Sequence, residues 1–176
     1  NEQTTAKTAD TIKANVLSTL TNYNTNTLNQ FDGVFRYSKI IGLVDNTDTS
    51  IVSNITTLKI RKEFTPTINV STRYDVYFRN ALYNPHSGHN SAAGGILTST
   101  GFKIDGDTST IFFLDDDGQG NIRRYSLSGS TRVYGNSSQG TIDYTTGQVT
   151  INSLNVSVVE NIRGAASSVI ELTVVP

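Results

Sequence analysis

The spacing of apolar residues changes part-way along this chain, and that change rules out most architectures. Up to Val44 they recur at steps of three and four; from Ile51 onward the period is two. The first spacing gathers side chains on one stripe of a helix, the second on one face of a strand. The pattern predicts an α+β fold: an N-terminal helical leader over residues 1–50, then a mainly antiparallel β-domain over residues 51–176.

Within the leader, residues 5–30 read as an amphipathic helix with Ala9, Ile12, Val16, Leu20 and Tyr23 on one stripe. Thr and Asn positions after Leu20 weaken helix propensity, and Asp32-Gly33 marks a break. A second helix is predicted from Tyr37 to Val44, with Ile40, Ile41 and Val44 inward. Asp45-Asn-Thr-Asp48 then supplies side chains that bond nearby backbone and favour turns. The stripe needs a covering surface, from this domain or from another subunit.

Extended runs follow. A strand of mixed exposure is predicted from Ile51 and closed by Pro66; Arg73–Phe78, Ile96-Leu97 and Phe102–Ile104 come next. Thr110–Leu114 and Ile122–Leu127 flank a Gly-rich turn and make a hairpin. Thr141–Tyr144 and Gln148–Ile151 make a second hairpin, centred on Thr146-Gly147, and Val156–Val159 and Ser168–Val175 close the domain. The spacing implies about seven to nine strands.

Composition narrows the function classes. The chain has 176 residues, a net charge of −1 and 16 % charged residues, below the roughly 25 % usual in soluble domains. Near-neutrality gives no footprint for nucleic acid or anionic lipid. No apolar run approaches the ~20 residues of a membrane helix. With no cysteine there are no disulfides, thiolate nucleophiles or Cys-type zinc sites. The chain also lacks methionine, and so an initiator, and reads as a fragment of a longer protein. Abundant Thr, Ser, Asn and Gly suit a β-rich subunit whose surfaces meet other protein.

Candidate chemistry concentrates in two stretches. The long polar loop from Leu82 to Ile96 holds both histidines, His86 and His89, three apart. That spacing can put two imidazoles on one metal. The loop offers no close carboxylate or cysteine, and Asn84-Pro85 and Ser87-Gly88 argue against a helix that would fix the pair. The expectation is a shaped connector that holds no metal. Asp115, Asp116 and Asp117 suggest a calcium loop, but the twelfth position from Asp115 is Ser126 where a bidentate Glu is needed. They are read as a solvated hairpin tip, with a weak cation contact left open.

Arg123 and Arg124 fall on opposite faces of one strand and make a poor basic patch. The glycines fit neither a phosphate loop nor a dinucleotide fingerprint. Ser87 lacks a nucleophile elbow, and pairing Asp75 or Asp143 with Glu160 as a glycosidase dyad has no distance to support it. The expectation is no enzyme, no cofactor and no small-molecule substrate.

Several stretches resemble one family: Leu20-Thr-Asn-Tyr23, Phe35-Arg-Tyr-Ser-Lys-Ile-Ile41 and Asp48-Thr-Ser-Ile51, then Leu82-Tyr-Asn-Pro-His-Ser-Gly-His-Asn90 with Gly94-Gly-Ile96. Phe113-Leu-Asp-Asp-Asp-Gly118 and Gly140-Thr-Ile-Asp-Tyr-Thr-Thr-Gly147 complete the set. Together they look like the C-terminal region of the baseplate wedge family of T-even-like contractile-tailed phages, related to the broader J-like baseplate family. The loop motif is distinctive; the Gly-Thr-Ile-Asp-Tyr hairpin is shared by many phage structural proteins. The resemblance runs over nearly the whole chain. It implies a non-catalytic structural subunit of the virion tail baseplate, assembled in the host cytoplasm. Copies would dimerise and join other wedge proteins in a ring around the tail hub that reorganises when the sheath contracts.

On that reading the interface residues are Ile12, Val16, Leu20 and Tyr23 of the leader and His86 and His89 of the loop. Partners are a second copy and other wedge proteins, with no nucleic acid and no membrane. Two alternatives stand beside it. One is a β-rich host-surface or carbohydrate-binding module using Tyr74, Tyr77 or Tyr83 as stacking platforms; the other is a metal-dependent hydrolase at His86 and His89.

Overall fold

The computed structural model describes residues 7–176. Its internal contacts divide the chain into two compact units, Asn1–Leu58 and Lys59–Pro176.

The N-terminal unit is helical. Helix α1 spans Ala9–Tyr23. Thr8 caps it, its hydroxyl accepting from the Thr11 amide at 3.3 Å, and Asp10 in the first turn complements the positive end of the helix dipole. A π-helical turn, Asn24–Leu28, continues it through the Asn- and Thr-rich stretch, where poor helix formers loosen the ladder. The predicted helix over residues 5–30 is thus shorter at its C-terminal end; residues 5 and 6 lie outside the described residues. Helix α2 spans Tyr37–Asp45 and packs against α1. Ile12, Val16 and Leu20 are half-buried, and Tyr23 is buried, donating to the Val34 carbonyl at 3.4 Å under the Lys39 ammonium.

Residues 51–58 do not form the predicted strand. The Asn54 side chain donates instead to the Ile41 carbonyl near the end of α2 and to the Asp45 carboxylate, and the Tyr37 hydroxyl donates to the Thr56 carbonyl. Bonded to α2 in this way, the segment joins no sheet.

The second unit is a nearly closed, barrel-like antiparallel sheet of ten strands. They are β1 Ile60–Phe64, β2 Thr72–Tyr77, β3 Thr98–Ser99, β4 Phe102–Ile104, β5 Asp107–Asp116, β6 Asn121–Ser128, β7 Thr131–Asp143, β8 Gln148–Leu154, β9 Val156–Val159 and β10 Ile170–Val174. The order is β1-β10-β3-β5-β6-β7-β8-β2, with β4 pairing β5 and β9. Ten is one strand more than the upper sequence estimate, and β3 is only two residues long. Alternation supplies the core: Phe112 and Leu114, Val149 and Ile151, and Ile170, Leu172 and Val174 point inward with Phe102, Ile122, Leu154 and Val156. On the other face of β10, the buried Glu171 is held by Arg61 at 2.8 Å and Arg163 at 3.0 Å.

Candidate functional site

The two stretches that carried candidate chemistry fold against each other. The loop from Leu82 to Ile96 crosses the tip of the β5–β6 hairpin, and the Gly88 amide donates to the Gly118 carbonyl at 2.8 Å. The Asn84 side chain donates to the same carbonyl at 3.2 Å. At its start the loop is tied to the sheet by the Leu82 amide on Tyr144 and the Tyr83 amide on Val175.

The aspartate run is no solvated tip: Asp115 and Asp116 are both 0 % exposed. Strand alternation explains how. Asp116 continues the inward row of Phe112 and Leu114, so its carboxylate enters the core side. There it accepts from the amides of Ile96 and Leu97, both at 2.7 Å, from the Gly118 amide at 3.1 Å and from the Tyr144 hydroxyl at 2.7 Å. Burial and this acceptor push the Tyr144 phenol well above its ordinary range.

Asp115 faces the other way. Arg123 stands directly opposite it on β6 and donates from Nε at 2.9 Å. Arg132 donates at 2.6 Å and the Tyr134 hydroxyl at 2.9 Å. Arg123 also reaches the Ser91 carbonyl at 3.1 Å, binding the loop to the sheet. The guanidinium of Arg132 occupies the space where a Gly94 side chain would begin, and the Asp116 carboxylate that of Gly95. The Gly-Gly pair is therefore the seat on which the part-buried Arg132 guanidinium and the buried Asp116 carboxylate rest. Asp117 alone stays at the turn. Burial raises its pKa, but bonds from Asn121 and Gln119 outweigh this and lower it.

These contacts use up the carboxylate oxygens that a cation would need. Among the described residues no group of three or more His, Cys, Asp or Glu side chains converges on a point. Arg123 and Arg124 do take opposite faces: Arg124 lies over the Phe112 ring and donates to Gln139 at 3.2 Å.

His86 and His89 sit on the outside of the loop. His89 Nδ1 and His86 Nε2 are 3.5 Å apart, the rings edge to face, and Tyr83 packs edge-on against His89. His86 shares an open groove with Asn84, Ser87, Gln119, Asp143 and Thr145. Asp143 is held below the usual carboxylate range by Thr146 and by the Thr145 amide, which close the β7–β8 turn. Ser87 meets His86 through its carbonyl. Asp75 is engaged by Arg73 and the Thr150 hydroxyl. Chemically this is a polar surface on a rigid support.

Of the three tyrosines named as stacking platforms, Tyr77 and Tyr83 are exposed and Tyr74 is engaged within the sheet. Tyr74 packs on Phe64 at 4.7 Å between ring centroids and accepts from the Thr67 amide, while Tyr77 lies on the opposite face of β2.

Comparison with known proteins bears on the helical end of the chain. Residues 1–63 match the family model of baseplate structural protein gp6, C-terminal domain III. The matched segment is similar to that domain of a phage baseplate structural protein of the T4-like wedge, as the sequence resemblance implied. The gp6 match takes in the helical unit and ends at Glu63, inside β1. A search of curated proteins found no match to the chain. The site around Asp115 and Asp116 lies beyond the matched residues. The signal that could have found it was a carboxylate in the inward register of an apolar strand, two residues after Leu114.

Proposed function

We propose that this chain is a structural subunit of a contractile-tail baseplate wedge which forms a homodimer and contributes ring contacts around the tail hub that rearrange on contraction. A phage baseplate structural subunit is the coarse function that the gp6 match supports. One observation carries the finer reading. Among its described residues the helical unit buries a single apolar side chain, Tyr23, while Leu17 is 66 %, Val52 88 %, Ile55 100 % and Phe31 110 % exposed. A unit this small that leaves large apolar groups in water gains stability by covering them. Obligate subunit interfaces resemble a core cut in half, and such surfaces fit that description.

On this reading the half-buried Ile12, Val16 and Leu20 of the leader stripe meet the second copy or another wedge protein together with the exposed apolar groups. Tyr23 beside them is already covered within the chain. His86 and His89, on the outside of a rigid loop, offer a further contact. The family is a structural one, so the subunit is read as non-enzymatic, assembled in the host cytoplasm without nucleic acid or membrane. Among the described residues no helix is long and apolar enough to cross a membrane. Light scattering on the purified chain at high concentration should give a dimer or larger species, and Phe31→Ser with Ile55→Ser should shift it toward monomer. A wild-type chain that stays monomeric at high concentration would overturn the homodimer.

A further inference from the structure

We propose that His86 and His89 form a two-imidazole chelate for a divalent transition-metal ion of the zinc type, with solvent completing the coordination of the isolated chain. The sequence argued against a metal because the loop offers no close carboxylate or cysteine and because no helix would fix the pair. A different support fixes it in the fold. The His89 amide donates to the His86 carbonyl at 3.1 Å, closing a turn, and Gly88 between them is bonded to Gly118 at 2.8 Å. Beneath that turn the hairpin is locked by the buried Asp115 and Asp116 contacts.

The ring geometry suits a shared ion. The facing nitrogens are 3.5 Å apart. Two imidazoles on one tetrahedral zinc, each with Zn–N near 2.0–2.1 Å, stand about 3.3–3.4 Å apart. At 3.5 Å the two nitrogens share a long hydrogen bond, which an ion bound between them would replace. The outer nitrogen is also set correctly. His86 Nδ1 lies 3.1 Å from the Ser87 carbonyl. A proton on Nδ1 donated there leaves Nε2 with a free lone pair aimed at His89, the arrangement by which ligating histidines are held in the right tautomer. Tyr83, 5.3 Å from His89 between ring centroids, restrains the second ring. Neutral imidazole nitrogens prefer zinc, nickel or copper to magnesium or calcium.

The test is direct because the chain contains only two histidines. Zinc chloride titrated into the full chain at neutral pH should saturate at one equivalent and shift the ring resonances of both. His86→Ala and His89→Ala should each weaken binding at least tenfold, with the thermal midpoint of the metal-free protein unchanged. Zinc that shifts neither ring, or binds equally well to the double variant, would overturn the site. Magnesium should leave both resonances in place. Should a variant fail to fold, the wild-type resonances still decide, since they report the ligands without any substitution.

Discussion

Two adjacent aspartates show how much one residue of register changes. Asp115 and Asp116 have the same chemistry and point to opposite faces of β5, one into an arginine–tyrosine cage and the other among amides. Their run looked like a turn because Asp-Gly is turn chemistry, and at Asp117-Gly118 it is one. The first two members belong to the strand. Arg123 was visible in the sequence as a strand residue, but not as the partner of Asp115, since the pairing depends on the exact length of the hairpin turn. Asp115→Ala leaves Arg123 and Arg132 facing a void. Removing one partner of a buried ion pair costs about 3–5 kcal/mol. Urea unfolding should show that loss as a lower midpoint, and Arg73→Ala, on an exposed pair with Asp75, should barely move it.

At the scale of elements, the loop from Leu82 to Ile96 has almost no regular structure yet is held as firmly as a strand. A short 3-10 turn, Ser91–Ala93, is its one helical piece. Its order comes from outside: the β5–β6 tip, Arg123 and the Asp116 carboxylate. Gly95 is where this matters most. It has φ +64°, and a Cβ there would fall 2.2 Å from the Asp116 carboxylate. Gly95→Ala therefore carries both backbone strain and displacement of a buried charge. Gly106→Ala, at φ +85° in open space, carries the strain alone, about 1–2 kcal/mol. Gly95→Ala should cost clearly more in chemical unfolding. Hydrogen exchange at the Ile96 and Leu97 amides should speed up in that variant only.

For the whole molecule, acid and alkali act on different groups. Asp48 is held well below the carboxylate range by the Lys7 ammonium and by Ser50, and Asp107 is lowered to about 2 by Thr110 and Ser109. Asp75 and Asp143 are lowered too, chiefly by Arg73 and Thr146. A carboxyl whose folded pKa is depressed contributes stability above its unfolded pKa, near ~3.9, and loses it as pH falls through the folded value. Tyr125, Tyr134 and Tyr144 are raised, mainly by burial. Keeping these phenols protonated contributes stability below ~10, the unfolded pKa, which is lost as pH rises through the folded values. The thermal midpoint should thus stay level between about pH 5 and 9, fall below about 4, and fall again above about 10. A midpoint already falling between pH 7 and 5 would contradict this account.

The amino-acid sequence by itself determined the order of helix and sheet, the second helix, both hairpins and the closing strands. Those features rest on local periodicity and turn chemistry, which act over a few residues. It also carried the baseplate resemblance, which the comparison with known proteins shows over residues 1–63. Only the tertiary structure decided that residues 51–58 bond to the second helix, that Asp115 and Asp116 are buried, and that the histidine loop rests on them. Each depends on partners far away in sequence: Asn54 with Ile41, Asp116 with Ile96 and Tyr144, Arg132 with Asp115. Spacing says which face a side chain takes. It does not say what waits on the other side.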